Sequence, residues 1–320
     1  MELPGALQQA LEAELHHAAP KKLARTTSEL SLRYRKDPSD GRTLIRNAAD
    51  VRAYAAFRMP ATFAAAYMVL EAVRTALPQW APQTLLDVGA GPGTVMWAAA
   101  AVGWSFDSIT LLEREAAMID LGRRLAQKGE ESIRAARWIK TDLSRDGHVS
   151  GHDLVTAAYV LGELNENTRQ AVLERLWRNT RGVLAVIEPG TPRGFERIKQ
   201  MRQRLIEQGA VILAPCPHDR PCPMEEGDWC HFAARVSRTR LHRLVKSGEL
   251  AYEDEKFAYL AASRLPGGRA NARVLRRPQV RKGHLVFTIC TAEGIGTRIA
   301  AKSDKEAYRQ ARKLKWGSSF

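Results

Sequence analysis

The sequence predicts an α/β fold in which a parallel sheet follows an N-terminal helical region, is interrupted by an inserted cysteine-rich segment and is followed by a basic C-terminal extension. Three observations lead to this prediction. From residue 84 onward, short apolar runs alternate with helical stretches, which is typical of βαβ units. Three of the four cysteines fall between residues 216 and 230. The excess of positive charge is concentrated near the C-terminus.

Residues 1–80 are predicted to be helical. Apolar residues recur at helical spacing, for example at Leu7, Leu11 and Leu15. Pro60 predicts the start of a new helix, because proline fits the first position of a helix. The first residues include acids, whereas a mitochondrial transit peptide is rich in arginine and poor in acids. No stretch approaches the roughly 20 apolar residues of a membrane span, so we expect a soluble, cytoplasmic protein.

The parallel sheet is predicted from five apolar runs. These runs are 84–88, 108–113, 137–140, 153–158 and 182–187. Two later runs, 257–262 and 284–290, are expected to complete the sheet. The predicted regions are a helical region at 1–80, the sheet core at 81–200, the cysteine-rich insertion at 201–245, and sheet-completing strands with the basic region at 246–320.

A glycine-rich loop lies where the first predicted strand leads into the next helix. Gly89, Gly91 and Gly93 let the backbone pass close to a ligand, and the N–H groups of the following helix point into the same crevice. A dinucleotide-binding fingerprint has Gly or Ala where this chain has Thr94. With Asp87 at the end of the strand, the loop instead resembles motif I of class I S-adenosylmethionine-dependent methyltransferases. The sheet is therefore predicted to be the Rossmann-like sheet of that class.

Two acids strengthen this resemblance. Glu113 comes twenty positions after Gly93, at the end of the second strand, where a carboxylate can bind both ribose hydroxyls. Asp142 follows the third strand, where these enzymes usually contact the adenine amine. The predicted S-adenosylmethionine site consists of Asp87, Gly89, Gly91, Gly93, Glu113 and Asp142. Another nucleotide and a degenerate pocket are the alternatives.

The methyl-acceptor side is less well defined. Amino-directed nucleic-acid methyltransferases carry Asn/Asp-Pro-Pro-Tyr/Phe after the fourth strand, whereas this chain reads Ala-Ala-Tyr-Val-Leu-Gly-Glu-Leu over 157–164. No cysteine directly follows the fourth or fifth strand, which argues against carbon-5 methylation of a pyrimidine through a cysteine nucleophile. Tyr159 and Glu163 are in position to face a substrate, but packing and helix capping explain them equally well. No catalytic residue is assigned.

Cys216, Cys222, Cys230 and Cys290 are the only cysteines of the chain. Their clustering predicts ligation, because thiolates are the ligands that zinc and iron–sulfur clusters select. Before any family is considered, zinc is favoured over an iron–sulfur cluster. Disulfide bonds and inert buried thiols are the other interpretations, but a chain of 320 residues does not need disulfides for stability.

The charge distribution predicts a polyanionic partner. The chain has a formal net charge of +14, and residues 235–320 contain 20 Lys and Arg against 7 Asp and Glu. A basic surplus confined to one end is typical of a nucleic-acid-binding surface. A solvated surface that maintains solubility is the alternative.

Several motifs together resemble one family, the methyltransferase-like assembly factors of the mitochondrial small ribosomal subunit with their bacterial relatives. Besides the glycine loop, the motifs lie at 187–191, 215–218, 228–232, 256–259, 273–278 and 311–317. The similarity covers roughly residues 33–317. It implies that Cys216, Cys222, Cys230 and Cys290 hold a [4Fe–4S] cluster, which reverses the preference for zinc. It also implies contact with small-subunit rRNA.

The predicted function is an S-adenosylmethionine-dependent methyltransferase, or methyltransferase-like protein, that acts on small-subunit rRNA and is stabilised by the cluster. The alternative is a non-catalytic assembly factor whose cofactor and cluster are structural or regulatory. A small-molecule methyltransferase is a weaker third interpretation. We expect a protein that is monomeric off the ribosome and binds no membrane. The residues predicted to contact RNA are Arg273, Arg276, Arg277, Arg281, Lys282, Arg312, Lys313, Lys315 and Trp316.

Overall fold

The computed structural model describes residues 1–16, 19–35, 45–145, 150–237 and 252–320. The helices in these ranges are α1 (Gly5–Leu15), α2 (Pro20–Arg35), α3 (Ala48–Ala76), α4 (Thr94–Ala101), α5 (Ala116–Ala126), α6 (Glu131–Arg134), α7 (Glu166–Arg178), α8 (Pro192–Glu207) and α9 (Lys305–Ala311). The strands are β1 (Thr84–Val88), β2 (Ser108–Glu113), β3 (Arg137–Lys140), β4 (His152–Ala158), β5 (Thr180–Pro189), β6 (Val211–Ala214), β7 (Phe232–Ser237), β8 (Tyr252–Ser263), β9 (Ala272–Val274), β10 (Gln279–Arg281), β11 (His284–Thr291) and β12 (Gly294–Ala301).

The N-terminal region is helical, as predicted, but α3 is one continuous helix of 29 residues that passes through Pro60. The predicted helix start at Pro60 is therefore wrong. A proline inside a helix costs about 3 kcal/mol, because it removes a hydrogen bond and crowds the preceding turn. Here α3 buries long apolar side chains such as Met59 and Phe63 in the main core, and this packing outweighs the local preference. Asn47 caps the helix by accepting from two backbone N–H groups of the first turn.

The large sheet has the strand order β3-β2-β1-β4-β5-β8-β6, with β7 also paired to β8. Strands β1 to β5 are parallel, and β8 runs antiparallel to β5. β4 and β5 are buried along most of their length, as expected for parallel strands that helices cover on both faces. The fold is therefore the predicted α/β fold, a class I methyltransferase-like Rossmann sheet.

One predicted strand of this sheet lies elsewhere. The run 257–262 falls in β8 and joins the sheet as predicted, but the run 284–290 falls in β11. β11 pairs with β9, β10 and β12 in a second, antiparallel sheet. The place beside β8 is taken by β6, which lies in the region predicted as the cysteine-rich insertion. β11 alternates buried Leu285 and Phe287 with more exposed residues, the pattern of a strand covered on one face.

Both candidate sites lie at one edge of the large sheet. The glycine loop follows β1 at the carboxyl edge of the parallel strands. β6 is antiparallel to β8, as β5 is, so the cysteine segment that follows β6 leaves the sheet at this same edge. Among the described helices, none is both long and apolar enough to cross a membrane.

Candidate cofactor crevice and cysteine site

The glycine loop connects β1 to α4 at the carboxyl edge of the sheet. Gly89, Gly91 and Gly93 have φ angles of 63°, 55° and 78°, a region that side chains with a Cβ rarely adopt. A Cβ at Gly89 would lie 2.4 Å from Val160. At Gly91 the nearest atom would be the hydroxyl oxygen of Tyr54, at 3.6 Å. Gly91 is therefore the more open position, and Gly89 is needed for packing.

Glu113 lies at the end of β2, as predicted, and the structure shows that it also contacts the glycine loop. Its Oε2 accepts from the Gly91 N–H at 2.8 Å, and its Oε1 accepts from the N–H groups of Arg114 and Glu115. Burial raises the pKa of this carboxyl group, and the three N–H groups oppose that shift. A carboxylate has about four acceptor positions. Three of them are occupied, so one acceptor position of Glu113 is left for a first ribose hydroxyl. A second ribose hydroxyl could bind only if it replaced the hydrogen bond from Gly91.

Asp142 lies at the next strand end. The Thr141 N–H donates to the Glu113 carbonyl oxygen at 3.0 Å, so the ends of β2 and β3 are adjacent. Asp142 Oδ1 accepts from the Ser144 N–H and hydroxyl at 2.9 and 2.7 Å. These bonds lower the pKa of Asp142. The side chain is therefore a carboxylate at neutral pH, one strand further along the edge than Glu113.

Asp87 is fully buried at the end of β1. Its Oδ1 accepts from the Thr156 hydroxyl at 2.7 Å, while its Oδ2 has no hydrogen-bond partner. The buried hydroxyl of Thr94, at the start of α4, also has no partner. Burial raises the pKa of Asp87 to about 7, and the bond from Thr156 opposes this. Unpaired buried polar atoms cost free energy. Asp87 Oδ2 and the Thr94 hydroxyl therefore fit a loop that hydrogen-bonds a polar ligand such as S-adenosylmethionine.

Tyr159, which follows β4, has a φ angle of 59°. A bulky side chain in this region is strained and needs support from its surroundings. Its N–H donates to the Ile187 carbonyl oxygen at 2.7 Å, and its hydroxyl donates to Glu255 at 3.0 Å. Glu255 also accepts two hydrogen bonds from the Arg58 guanidinium, both at 3.2 Å. Arg58, Tyr159 and Glu255 thus form one network, called here the Arg58 network, at the strand end where a methyl acceptor is expected.

Sequence reasoning missed two members of this network. Arg58 and Glu255 are separated by 197 positions, and no motif spacing connects them. Arg58 is one of many basic residues in the helical region, and Glu255 belongs to an acidic run at 253–255. Only the pairing of α3 with β8 in the folded chain brings them together.

Glu163 lies in the short 3-10 helix Leu161–Glu163 that follows Tyr159. Burial raises the pKa of Glu163 to about 7; the Arg114 charge opposes this shift and the Glu113 charge adds to it. A carboxyl group with a pKa near the working pH is suited to accept or donate a proton. On this side of the crevice, Glu163 is therefore the described side chain with the chemistry of a general base.

The four cysteines line one cavity. Cys216 and Cys222 lie in the segment after β6, Cys230 lies just before β7, and Cys290 lies on β11. The cavity has a volume of about 40 Å³, and a water molecule needs only roughly 10–15 Å³ of such space. All four side chains are free thiols, so the structure does not support the disulfide interpretation.

The thiols of this cavity influence one another. Burial raises the pKa of Cys290 to about 12, and the charges of Cys216 and Cys222 add to the shift. Burial likewise raises the pKa of Cys216, and Cys230 is held well above its usual range. The thiols of Cys216, Cys230 and Cys290 therefore stay protonated at neutral pH in the absence of a bound metal. Iron or zinc would supply the positive charge that stabilises thiolates.

The four cysteines share one cavity without forming a ready-made metal site. Zinc binds each thiolate at about 2.3 Å, so its ligand atoms must lie close together. Within the described ranges, no group of three or more His, Cys, Asp or Glu side chains is arranged to hold a metal ion. An iron–sulfur cluster is larger than an ion and is held by four thiolates. His218 lies beside the cysteines, with its Nε2 3.8 Å from Cys290 Sγ.

The predicted RNA-binding residues divide into three groups. Those on the outside of the C-terminal sheet and after α9 are exposed: Arg281, Lys282, Arg312, Lys313 and Lys315. Arg276 and Arg277 form ion pairs with Asp228 and Asp254, at 2.5 and 2.9 Å, although the Arg277 side chain is still 68% exposed. α9 ends at Ala311, so Arg312, Lys313 and Lys315 lie in the segment that follows it.

Arg273 and Trp316 require a correction. Arg273 is only 8% exposed, and its guanidinium donates to the carbonyl oxygens of Pro215 and Gly317. Because Arg273 is buried and bonded inside the protein, it cannot reach RNA phosphates in this structure. Trp316 is half-buried, with its indole N–H donating to the His231 carbonyl oxygen at 2.9 Å and its ring edge against that imidazole. Its main contacts are therefore within the protein.

Comparison with known families decides the relationship. Residues 48–320 match the family described as mitochondrial small ribosomal subunit Rsm22. The chain belongs to the Rsm22 family. The matched range contains the glycine loop, all four cysteines and the basic C-terminal residues, and it begins at the start of α3.

Two relatives of this Rsm22-family chain are informative. The human protein named "Ribosome assembly protein METTL17, mitochondrial" is 29% identical over 289 residues, which are 82% of this chain and 61% of the human protein. The Schizosaccharomyces pombe protein named "Rsm22-cox11 tandem protein 2, mitochondrial" is 26% identical over 322 aligned positions, which are 84% of this chain and 43% of that protein. The chain therefore spans about half of the length of these relatives.

A solved structure has a similar architecture. Magnesium protoporphyrin IX methyltransferase (ChlM) from Synechocystis, with bound SAM, aligns with a TM-score of 0.42 and 16% sequence identity. The alignment covers 78% of this chain and 100% of that chain.

Proposed function

We propose that this Rsm22-family protein acts in the assembly of the small ribosomal subunit, where it binds rRNA and carries both S-adenosylmethionine and a [4Fe–4S] cluster. The family match over residues 48–320 carries the proposal, because this range includes both candidate sites and the basic C-terminal residues. The name of the human relative, a ribosome assembly protein, supports the same role. The cytoplasmic location stays a prediction, since the named relatives are mitochondrial.

In the proposed cofactor site, Gly91 and the N-terminal N–H groups of α4 bind the polar part of S-adenosylmethionine. Glu113 binds the ribose and Asp142 the adenine amine, while the unpaired Oδ2 of Asp87 accepts one further hydrogen bond. When bound, S-adenosylmethionine supplies an activated methyl group. The contribution of the chain is to orient it and to exclude water from the crevice.

In the proposed cluster site, Cys216, Cys222, Cys230 and Cys290 are the ligands, and zinc is the alternative occupant. These ligands would join the segment after β6 to β11, so the cluster would hold the second sheet against the first. We assign the cluster a structural role for this reason, as ligation commonly contributes directly to folding free energy.

The proposed rRNA surface consists of the exposed basic residues of the C-terminal sheet and the segment after α9. Arg281, Lys282, Arg312, Lys313 and Lys315 are in position to contact phosphates, which position a protein without reading the base sequence. The protein is proposed to be a monomer off the ribosome.

Methyl transfer to rRNA is the reaction that this crevice would perform, with Glu163 as the side chain suited to take a proton. A second candidate, a non-catalytic assembly factor, is favoured by one observation. The Arg58 network fills the strand end beside the crevice, and its polar groups are already bound to one another. A methyl acceptor would have to enter beside this network or displace it.

The experiment that tests the proposal uses anaerobically purified protein and small ribosomal subunits from cells that lack it. The measurement is the transfer of methyl label from S-adenosylmethionine into rRNA. Gly91→Arg should abolish transfer, because the larger side chain must enter the crevice near Tyr54. Gly209→Arg is the matched control, since Gly209 also has a positive φ angle, 82°, but a Cβ added there would meet no atom within 4 Å.

Three outcomes are informative. Transfer that Gly91→Arg abolishes and Gly209→Arg preserves supports an rRNA methyltransferase. Binding of cofactor and subunit without transfer supports the assembly factor. Absence of both cofactor and subunit binding by the folded protein contradicts the proposed function.

A further inference from the structure

Arg202 is a buried arginine beside the cysteines. It projects from α8, which begins at Pro192 and is capped by the Thr191 hydroxyl. The residue is 3% exposed and lines the cysteine cavity. Its Nη2 donates to the carbonyl oxygens of His218 and Arg220, at 2.6 and 2.9 Å. These carbonyls belong to the segment between the first two cysteines, so Arg202 fixes the backbone that presents both thiols.

Arg273 lines the same cavity from β9 of the second sheet. It lies on β9 directly opposite Cys290 of β11, so the two side chains are on the same face of the second sheet. The residue is 8% exposed and also lines the cavity. Its Nε donates to the Pro215 carbonyl oxygen at 2.8 Å, next to Cys216. The guanidinium therefore contacts the backbone directly before Cys216.

Neither guanidinium has a carboxylate partner among the residues that the structure describes; their oxygen acceptors are all backbone carbonyls, and Arg202 also interacts with the Cys216 thiol. In addition, Arg202 Nε and His218 Nδ1 are buried without any hydrogen-bond partner. A buried charge without a counter-charge is strongly unfavourable. Two such cations in one cavity with four thiols indicate that a negative group belongs in this cavity.

We propose that Arg202 and Arg273 are positioning residues that balance the negative charge of a four-thiolate iron–sulfur cluster, with the free Arg202 N–H donating to one of its sulfur atoms. This inference rests on the cluster of the proposed function. A [4Fe–4S] cluster with four thiolate ligands carries a net charge of about −2 in its oxidised form, which two guanidinium groups neutralise. Positive charge and N–H···S hydrogen bonds also favour the reduced form and so raise the reduction potential.

The experiment compares Arg202→Gln and Arg273→Gln with the unchanged chain after anaerobic reconstitution with iron and sulfide. Iron and sulfide content is measured first, and the midpoint potential of the one-electron reduction by dithionite is measured next. Each substitution should lower the potential. A tenfold decrease in the equilibrium constant for the one-electron reduction corresponds to a decrease in the midpoint potential of about 59 mV. Arg202→Lys and Arg273→Lys should lower the midpoint potential less, since lysine keeps the positive charge.

Arg169→Gln is the control. Arg169 is equally buried at 8% exposure and donates to the Leu164 carbonyl oxygen, but it does not line the cysteine cavity. Its substitution should leave the potential unchanged. Equal potentials in Arg202→Gln, Arg273→Gln and the unchanged chain, at equal iron content, would overturn the inference.

If the Gln variants do not retain a cluster, the iron content of the Lys variants distinguishes charge balance from a role of the backbone contacts alone. Recovery of iron by lysine supports charge balance. Equal loss in Lys and Gln variants that stay folded, as judged by circular dichroism, would mean that only the backbone contacts matter, and would overturn the inference. If the unchanged chain takes up no iron–sulfur cluster, the cluster part of the proposed function fails, and this inference fails with it.

Discussion

Asp87 is a buried and Glu163 a half-buried carboxyl group of the crevice, and loss of solvent contact raises the pKa of each to about 7. They lie at the ends of neighbouring strands β1 and β4. A carboxyl group in this range exchanges protons under physiological conditions, whereas Asp142 nearby has a lowered pKa. The crevice thus combines groups that titrate near neutral pH with one that stays ionised, a feature often found at functional sites.

The raised pKa of Asp87 predicts a pH dependence of stability. The ordinary value is 3.8 and the folded value about 7. Between these values the folded state keeps a proton that the unfolded state has released, so the free energy of unfolding falls as pH rises. The contribution is fully present below about pH 4 and is lost as pH rises through 7. Asp87→Asn should remove this slope, by up to about 1.4 kcal/mol per pH unit.

Urea unfolding at several pH values between 5 and 7 measures this slope. Asp142→Asn is the control, since the pKa of Asp142 is lowered and its titration lies below this range. Equal slopes for Asp87→Asn and the unchanged chain would show that Asp87 is ionised in the folded protein throughout.

Cysteine substitution tests the cluster site at the same scale. Cys222→Ser should lower iron content after anaerobic purification and reduce solubility, because the segment after β6 loses its attachment to β11. Met224→Leu is the control, since Met224 is buried and lines the same cavity but is not a ligand. Iron and sulfide analysis of both variants is the measurement. Full iron content and normal RNA binding in Cys222→Ser would contradict a structural cluster.

At the scale of elements, the contact of α3 with β8 connects the helical region to the sheet edge. The Arg58–Glu255 pair lies at this contact, with side-chain exposures of 19% and 13%. Its loss would leave Glu255 and Tyr159 near each other without a cation. The strained backbone of Tyr159 depends on this support.

Arg58→Leu should therefore destabilise the fold by about 2–4 kcal/mol, since it leaves a largely buried carboxylate unpaired. Arg74→Leu is the matched control on the same helix. Arg74 forms an ion pair with Glu71, but both side chains are well exposed, at 49% and 36%, so its loss should hardly change the free energy of unfolding. Chemical unfolding of the two variants measures the difference. Equal small effects would show that the Arg58 network does not support the crevice.

The elements also show how far sequence reasoning reaches. Strands β1 to β5, the glycine loop and the position of Glu113 at the end of β2 follow from local periodicity and from the geometry of parallel strands. Pro60 misled the prediction because burial of α3 outweighs a local preference. β11 was misplaced because an apolar run predicts a strand but not its sheet. The pairing of Arg58 with Glu255 and the burial of Arg273 depend on tertiary contacts that no spacing encodes.

At the scale of the whole molecule, the two candidate sites share one edge of the large sheet, and the exposed basic residues lie on the second sheet beyond the cysteines. The second sheet meets the first through the cysteine cavity, because Cys290 of β11 faces the segment after β6. Its outer surface includes Arg281 and Lys282, and the segment after α9 adds Lys313 and Lys315. The central claim is that this basic surface binds small-subunit rRNA.

Reversal of Arg281, Lys282, Lys313 and Lys315 to Glu should weaken binding in a salt-dependent manner. Loss of four phosphate contacts should reduce the slope of log K against log salt by roughly 3. The control reverses four exposed basic residues outside the second sheet. These are Lys21 and Lys22 on α2, Arg123 on α5 and Lys128 shortly after α5. This control makes the same change in net charge away from the proposed surface.

The most direct measurement is co-sedimentation of the reconstituted full chain with purified small and large ribosomal subunits at several salt concentrations. The account predicts binding to small subunits but not to large ones, a marked loss in the C-terminal reversal variant, and near-normal binding in the control variant. Equal binding to both subunits, or equal loss in both reversal variants, would contradict a specific rRNA surface at the C-terminal sheet.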